Sequence, residues 1–282
     1  MASAEFDALL GIMEASEAAG GLVARAAQAF SQKNDRERSG VISTAQANTR
    51  FLDSPRLSKT LSSSSFDLTD LKRQRMSVYL VLPAKRLHTH GRWLRLMVAL
   101  TLDMMASDPA QPRDPLLFVL DEFAALGHLS AIETAMGLMA GFGVQIWPIV
   151  QDLAQLKDLY PRRWESFVAN AGVVQVFAVT EPGTAEYLSK MMGPRTVTVR
   201  GTGANRSYSA QGEGRGGNES FSRIARPLLM PDELRRLAPA QEVLLLQGTR
   251  PVLTTRVLYY ADPAFAGLFD PNPFREKNNG KK

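Results

Sequence analysis

Cysteine is absent from the 282-residue sequence, and histidine is nearly so, with three residues. The missing thiols exclude disulfide bonds, thiolate metal sites and cysteine nucleophiles, and they fit a protein kept in a reducing compartment. Two of the histidines, His88 and His90, stand one residue apart, but no neighbouring cluster of ligands completes a zinc site. We therefore interpret both as ordinary loop residues.

The sequence predicts neither a signal peptide nor a membrane helix within these residues. The first residues include two acids and no basic region ahead of an apolar block, which argues against a signal peptide. The longest uncharged run, Thr134–Gln151, has 18 residues, but three glycines and a proline interrupt it. An amphipathic helix followed by a short strand explains this run better than a membrane helix.

Acidic residues are outnumbered, with 28 aspartates and glutamates against 33 lysines and arginines, for a net charge of +5 and a pI near 9.5. This excess favours polyanionic partners such as nucleic acid or an acidic membrane surface. The hydrophobic fraction of 45% is sufficient for a full core, and the composition is that of a soluble globular protein.

The periodicity of apolar residues divides the chain near Ser65. Residues 1–65 are predicted to form a helical segment, with a break at Gly20–Gly21 and a charged loop over Lys33–Arg38. Residues 66–265 alternate short apolar runs with helices, which indicates an α/β domain with a parallel sheet covered on both faces. Residues 266–282 are predicted to be a disordered tail.

The predicted strands of the α/β domain are Ser77–Leu82, Leu116–Leu120, Val144–Val150 and Val173–Val179, followed later by Glu242–Gln247 and Val252–Tyr260. The predicted helices are Arg92–Ser107, Leu129–Ala140, Leu153–Ala169 and Gly183–Met191. Their lengths permit right-handed crossovers between parallel strands. The glycine-rich segment Gly201–Gly217 interrupts this order and is predicted to be a mobile loop.

The sharpest signal for chemistry is an apolar strand that ends in two acids. Asp121 and Glu122 follow Leu116–Leu120 directly. In P-loop domains that hydrolyse nucleotides, this pattern places the aspartate beside Mg²⁺ at the carboxyl edge of the sheet, where the adjacent glutamate is available to polarise the attacking water. The alternative is that both carboxylates cap the following helix.

The next predicted strand, Val144–Val150, ends at the polar residue Gln151. In RecA-like motors a polar residue at this place senses the γ-phosphate, so two neighbouring strands would each bring a polar side chain to one edge. The alternative for Gln151 is a position next to a helix N-cap, ahead of Asp152.

Longer motifs connect these signals to a family. Leu120–Gly127 resembles the Walker B segment of TraG-type conjugative coupling proteins, and Ile149–Leu156 resembles the glutamine motif that follows it in that family. The similarity runs from about Phe51 to Tyr260. Further matches in the same order are Asn170–Gly172, the turn with Thr184 ahead of Tyr187–Lys190, and Arg226–Leu229 through Asp232–Leu234.

This resemblance implies a RecA-like P-loop NTPase fold that is incomplete at its N-terminal side, with residues 1–65 as the end of an inserted all-α domain. It implies ATP and Mg²⁺ as cofactors, with Asp121 holding Mg²⁺ through water, Glu122 in catalysis, and Gln151 in nucleotide binding and catalysis. The implied protein is a hexameric ATPase on the cytoplasmic side of the bacterial inner membrane, anchored by segments outside this chain. It links relaxosome proteins and single-stranded DNA to the channel of a type IV secretion system.

The sequence departs from the family at one point that decides catalysis. No G-x-x-x-x-G-K-[ST] pattern occurs in it, and Gly212–Gly217 lacks the lysine and the hydroxyl that hold phosphates and Mg²⁺. We therefore expect the chain alone to bind ATP poorly and to hydrolyse very little of it. We interpret it as a fragment, a truncated gene product or one part of a split protein.

Two other functions fit parts of the pattern. A non-catalytic module that binds DNA, relaxosome proteins or motor subunits fits the missing phosphate loop. Another RecA-like DNA translocase fits the acids and the glutamine, but not the continuation Phe123–Gly127 or the segment at Arg226–Pro227. No arginine finger is assigned among Arg162, Arg163 and Arg195.

Basic residues flank the first predicted strand and the glycine-rich segment, where they would follow DNA phosphates with little base selectivity. They are Lys72, Arg73, Arg75, Lys85 and Arg86 around the strand, and Arg200, Arg206 and Arg215 with Tyr208 in the glycine-rich segment. A solvated charged surface is the alternative.

Overall fold

The computed structural model describes the backbone of residues 3–209 and 212–271 and the side chains of residues 5–202 and 219–271. The chain forms two compact units, residues 1–116 and 117–282. The predicted boundary near Ser65 and the assignment of residues 1–65 to an inserted domain stay predictions. Most of the predicted tail lies outside the described residues.

The first unit is mainly helical, and the second mixes helices with strands. The helices are α1 (Ser3–Glu14), α2 (Ala18–Ser31), α3 (Asp35–Thr49), α4 (Pro55–Leu61), α5 (Leu87–Ser107), α6 (Ser130–Leu138), α7 (Leu153–Leu159), α8 (Trp164–Ala169), α9 (Pro182–Met192) and α10 (Pro231–Arg235). The strands are β1 (Leu116–Leu120), β2 (Val144–Pro148), β3 (Val173–Val176), β4 (Pro194–Ser209), β5 (Gly212–Pro227), β6 (Gln241–Leu246) and β7 (Val252–Thr255).

The helical prediction for the first 65 residues needs one correction. The predicted break is present as a kink in α2, where Gly20 and Gly21 have positive φ. The predicted loop over Lys33–Arg38 is present only as far as Asn34, because α3 begins at Asp35. The side chain of Asn34 accepts a hydrogen bond from the backbone N–H of Glu37, and such a cap starts a helix even in a charged segment.

A buried lysine closes the C-terminal end of α5. Lys72 is only 5% exposed, and its Nζ donates to the carbonyl oxygens of Met105 at 2.7 Å and Asp108 at 2.6 Å. Arg73 pairs with the Asp108 carboxylate at 2.8 Å. Lys72 therefore satisfies carbonyls left unpaired at a helix end. The prediction that Lys72 faces DNA is not supported. His88 and His90 lie in the first turn of α5 rather than in a loop.

The predicted strand Ser77–Leu82 is the main error in the first unit. Residues 76–83 have no regular secondary structure in the described chain. Tyr79 and Val81 are strongly exposed, whereas Val78 and Leu80 are partly buried. The segment therefore keeps the alternating exposure of a strand but lacks a hydrogen-bonded neighbour, without which a strand is not formed.

The strands of the second unit belong to three separate sheets in the described chain. β1 pairs with β2, β3 pairs with β6 and β6 with β7, and β4 pairs with β5. The β3–β6–β7 sheet is antiparallel, so the predicted continuous parallel order through Val173–Val179 is not present. The two last strands are confirmed, although β7 ends at Thr255.

The core of the second unit lies between the β3–β6–β7 sheet and two helices. Val176, Val243 and Leu245 of the sheet pack with Leu188 of α9 and Leu234 of α10. Apolar alternation on β6 places these side chains on one face. This core fixes α9, which approaches the candidate site described below.

Two further predictions for this unit differ from the structure. The predicted helix Leu153–Ala169 is two helices, α7 and α8, because Pro161 between them cannot continue the hydrogen-bond ladder. The predicted mobile loop Gly201–Gly217 is instead mostly strand, with residues 201–209 in β4 and 212–217 in β5. Glycine, serine and asparagine have low strand propensity, but pairing between long partner strands outweighs it.

Candidate functional site

The ends of β1 and β2 are joined by backbone hydrogen bonds. The amide of Ile149 donates to the carbonyl of Leu120 at 3.1 Å, and the amide of Phe123 donates to the carbonyl of Ile149 at 3.0 Å. Ile149 thus bonds to two different residues of the neighbouring segment, Leu120 and Phe123, which is the hydrogen-bond pattern of parallel strands. The carboxyl ends of both strands therefore lie at the same edge of the sheet.

Two of the three predicted site residues are in direct contact at this edge. Gln151 Nε2 donates to Glu122 Oε1 at 3.1 Å. Asp121 is the residue before Glu122, and its Oδ1 accepts the Glu122 backbone N–H at 3.1 Å. All three residues are exposed, so the Glu122 carboxylate and the Gln151 amide meet at the surface, next to Asp121 in the chain.

Glu122 has an unusual backbone. Its φ of 50° and ψ of 48° lie in the left-handed region, which non-glycine residues rarely adopt. The conformation ends the extended backbone of β1 and turns the chain after Glu122. Residues held in sparsely populated backbone regions cluster at functional sites.

The two capping alternatives have different outcomes. The short 3₁₀ helix Phe123–Leu126 starts without a hydrogen bond to a capping side chain of Glu122. The cap of α7 is Asp152, whose Oδ1 accepts from the Gln155 amide at 2.9 Å. Gln151 therefore does lie next to a helix N-cap, and its side chain also contacts Glu122.

Aromatic side chains pack around Phe123, the residue that follows Glu122. Phe123 is fully buried, with its ring 6.0 Å from that of Tyr160 and 5.9 Å from that of Phe167. The Tyr160 hydroxyl accepts a hydrogen bond from the Leu129 amide at 3.1 Å. The sequence pattern gave no reason to select Tyr160 or Phe167, since their contact with Phe123 depends on the packing of α7 and α8.

A carboxylate near this cluster holds one of the arginine-finger candidates. Glu133 pairs with Arg163 at 3.0 Å and approaches His128 Nε2 at 3.4 Å. The His128 ring lies 4.9 Å from that of Tyr160. Arg162 is exposed next to it, and Arg195 lies on β4. The geometry within one chain therefore assigns no finger.

The start of α9 supports α7 through a relay of hydrogen bonds. Glu181 accepts from the amides of Gly183 at 2.7 Å and Thr184 at 2.5 Å, and Thr184 Oγ1 accepts from the amide of Leu153 at 3.0 Å. Hydrogen bonds from the Thr184 side chain and from these amides lower the pKa of Glu181. The ionised carboxylate thus fixes the helix that follows Gln151.

Comparison with known proteins identifies a family. The profile of a family described as type IV secretory system conjugative DNA transfer matches residues 2–279. The chain belongs to this family. Relatives in it are the conjugal transfer protein TraG of Rhizobium radiobacter, 29% identical over 85% of this chain and 37% of TraG, and VirD4 of Agrobacterium fabrum, 33% identical over 77% of this chain and 32% of VirD4.

A solved structure of the coupling protein TrwB, in the form TrwBdeltaN70, has the same fold. It aligns with a TM-score of 0.63 and 20% identity over 89% of this chain and 54% of that chain. The predicted RecA-like α/β class of this coupling-protein chain is thereby confirmed, as is its resemblance to TraG-type proteins. The chain spans about a third of the length of the curated relatives that it matches. No helix of the described residues is long and apolar enough to cross a membrane.

Proposed function

We propose that this chain supplies the Walker B and glutamine part of an ATPase that couples conjugative DNA transfer to a type IV secretion system. The observation that carries the proposal is the 3.1 Å hydrogen bond from Gln151 to Glu122 at the shared edge of two parallel strands. Glu122 takes the role of orienting the water that attacks the terminal phosphate. Gln151 holds that carboxylate and senses whether the phosphate is present.

The donor set at this edge fits Mg²⁺. Magnesium prefers oxygen ligands and usually binds through one or two carboxylates, retained waters and the phosphates of a nucleotide. Asp121 and Glu122 are exposed carboxylates, and Asp121 is our choice for holding the ion through water. When bound, the ion would neutralise charge on the phosphates. TrwB has been solved in complex with ADP and Mg²⁺ and with a non-hydrolysable ATP analogue, which supports the same cofactors here.

The whole assembly is part of the same proposal. A protein of this family would work as a hexamer at the cytoplasmic side of the inner membrane and would pass DNA from relaxosome proteins to the secretion channel. A chain that covers about a third of its relatives contributes only part of that machine. The phosphate-binding lysine and hydroxyl of a P-loop are not among its 282 residues, so hydrolysis requires another polypeptide segment.

The test uses a chimera in which this chain follows the upstream part of the TraG relative, hereafter the joined protein. Glu122→Gln should lower its ATP turnover by at least about 100-fold, because a positioned general base contributes this much, while nucleotide affinity stays within a few-fold. Glu186→Gln is the matched control, since Glu186 is an exposed carboxylate on α9. Wild-type turnover in the Glu122 variant would remove this residue from catalysis.

The missing phosphate loop favours a second candidate, a non-catalytic module that binds DNA, relaxosome proteins or motor subunits. The isolated chain separates the two. If the joined protein shows no hydrolysis while the isolated chain binds a relaxosome protein or DNA saturably, the non-catalytic function is the better account.

A further inference from the structure

The hairpin of β4 and β5 has two faces of very different chemistry. Each strand has 16 residues, and their register pairs Thr198 with Arg223, Val199 with Ser222 and Arg200 with Phe221. Successive residues of a strand belong to opposite faces, and cross-strand partners share a face. The register therefore sorts the residues of both strands into two sets.

One set, which we call the arginine face, contains Arg200, Phe221 and Arg223 among the residues whose side chains the structure describes. The acid Glu219 belongs to the same set. The opposite set is glycine, serine and asparagine over positions 201–209 and 212–222. Its two arginines, Arg195 and Arg226, are partners at the base of the hairpin.

The described side chains of the arginine face are open to solvent. Phe221 is 68% exposed, which is unusual for a phenylalanine. Its cross-strand partner Arg200 pairs with Glu219, and both of those side chains are more than half exposed. Arg223, two residues along the same strand, has no ion-pair partner among the described residues. An exposed ring is thus flanked by two guanidinium groups.

The opposite face is closely packed near the same level. A Cβ atom added to Gly201 would lie 2.8 Å from Ser220 Oγ, so a side chain is not accommodated there without a shift. Gly201, Ser220 and Ser222 of this face are small, whereas Arg200, Phe221 and Arg223 of the arginine face are bulky or charged. The asymmetry is built into the pairing and does not arise from a single residue.

We propose that the arginine face binds single-stranded nucleic acid, with a base stacked on Phe221 and phosphates paired with Arg223 and Arg200. Proteins that bind single strands combine cations that follow the backbone with aromatic rings on which bases stack. Cross-strand partners lie about 5 Å apart and alternate residues of a strand about 7 Å apart, so the cations lie within reach of a nucleotide stacked on the ring. The inference rests on the proposed function and assigns residues to its DNA contact.

The test measures binding of the full chain to a fluorescein-labelled oligothymidine of about 20 nucleotides, which exceeds the footprint of a small single-strand binding fold. Phe221→Ala should weaken binding at least about fivefold, through loss of one stacked base. Arg223→Gln should reduce the slope of log K against log salt concentration by about 0.7, through loss of one phosphate contact. The matched controls from the opposite face are Ile224→Ala, an exposed apolar truncation, and Arg195→Gln, which removes the same charge; both should stay within about twofold of wild type.

Four results would overturn the assignment. They are no saturable binding by the wild-type chain, equal losses in the two pairs of variants, stronger binding of a duplex of equal length, and binding of polyglutamate with the same dependence on Phe221, which would indicate an acidic protein partner. Failure here is distinct from failure of the ATPase proposal, because the Glu122→Gln comparison in the joined protein is made without DNA.

Discussion

Glu122 combines a rare backbone conformation with an exposed carboxylate and a fixed neighbour. Holding a non-glycine residue in the left-handed region costs roughly 1–3 kcal/mol, and Glu122 adopts it with a φ of 50°. The sequence predicted that Asp121, Glu122 and Gln151 meet, because parallel strands bring their carboxyl ends to one edge. It could not predict the left-handed turn, since glutamate has no preference for it.

Gln151 gives the first prediction for a single residue. Gln151→Ala removes the amide that donates to Glu122 Oε1, and we expect ATP turnover of the joined protein to fall about tenfold or more, the equivalent of one hydrogen bond to a charged group. Stability should change by less than about 0.5 kcal/mol, because the position is exposed. Gln145→Ala, an exposed amide on the same strand β2, is the control, and an equal loss of turnover in both variants would contradict a specific role.

The second prediction for a single residue concerns Lys72 and the stability of the fold, not ATP turnover. Lys72→Met keeps the aliphatic stem but leaves the carbonyls of Met105 and Asp108 without their donor. Unsatisfied buried acceptors cost about 1–3 kcal/mol, so the free energy of unfolding measured with urea should drop by that amount. Lys59→Met on the exposed surface of α4 should leave it unchanged; a neutral result for Lys72 would mean that water replaces the ammonium group.

The start of helix α9 gives a prediction for the pH dependence of stability. Hydrogen bonds from Thr184 and Gly183 lower the pKa of Glu181 in the folded chain, so its stabilising contribution is fully present above the ordinary glutamate pKa. That contribution is lost as the pH falls through the lowered folded value. The melting temperature of Glu181→Gln should therefore lie below that of the wild type near neutral pH, and the gap should narrow in acid.

The control for this prediction lies on the same helix. Glu186 is exposed, and Glu186→Gln should follow the wild-type pH profile. A constant difference between Glu181→Gln and wild type across the acid range would show that the carboxylate charge is not what stabilises the start of α9.

Helices and strands could be predicted from the sequence where the residue pattern that indicates them is local. The bounds of β1 agree with the apolar run Leu116–Leu120, and α9 with its amphipathic pattern. The β4–β5 hairpin was missed because glycine and serine favour loops, and only its long register with a partner makes it strand. Pairing of this kind connects residues distant in sequence, which composition and periodicity do not reveal.

At the scale of the whole molecule, the described strands do not form the single sheet that the sequence predicted. The chain covers 37% of TraG, and its described strands form small separate sheets rather than one continuous sheet. Side chains on several of these strands are half exposed, among them Leu117, Val119 and Trp147. Apolar residues on strands at this level of exposure are typical of surfaces that a further element covers.

Residues 77–82 provide the test of this view at the scale of the whole protein. Tyr79 is 83% exposed and Val81 76%, yet the alternating pattern is that of a strand. In the isolated chain the amides of this segment should exchange rapidly with solvent, because they lack ladder partners. In the joined protein they should pair, and their hydrogen exchange should slow by about tenfold or more.

The amides of β6 serve as the internal reference for this measurement, since β6 is paired on both sides, with β3 and β7. They should be protected equally in the isolated chain and in the joined protein. If residues 77–82 exchange at the same rate in both proteins, the segment is a true connection and its alternation serves only to bury Val78 and Leu80. If protection appears in the joined protein, the prediction of a strand over residues 77–82 is correct. The segment then lacks strand structure in the isolated chain because it has no hydrogen-bonded neighbour there.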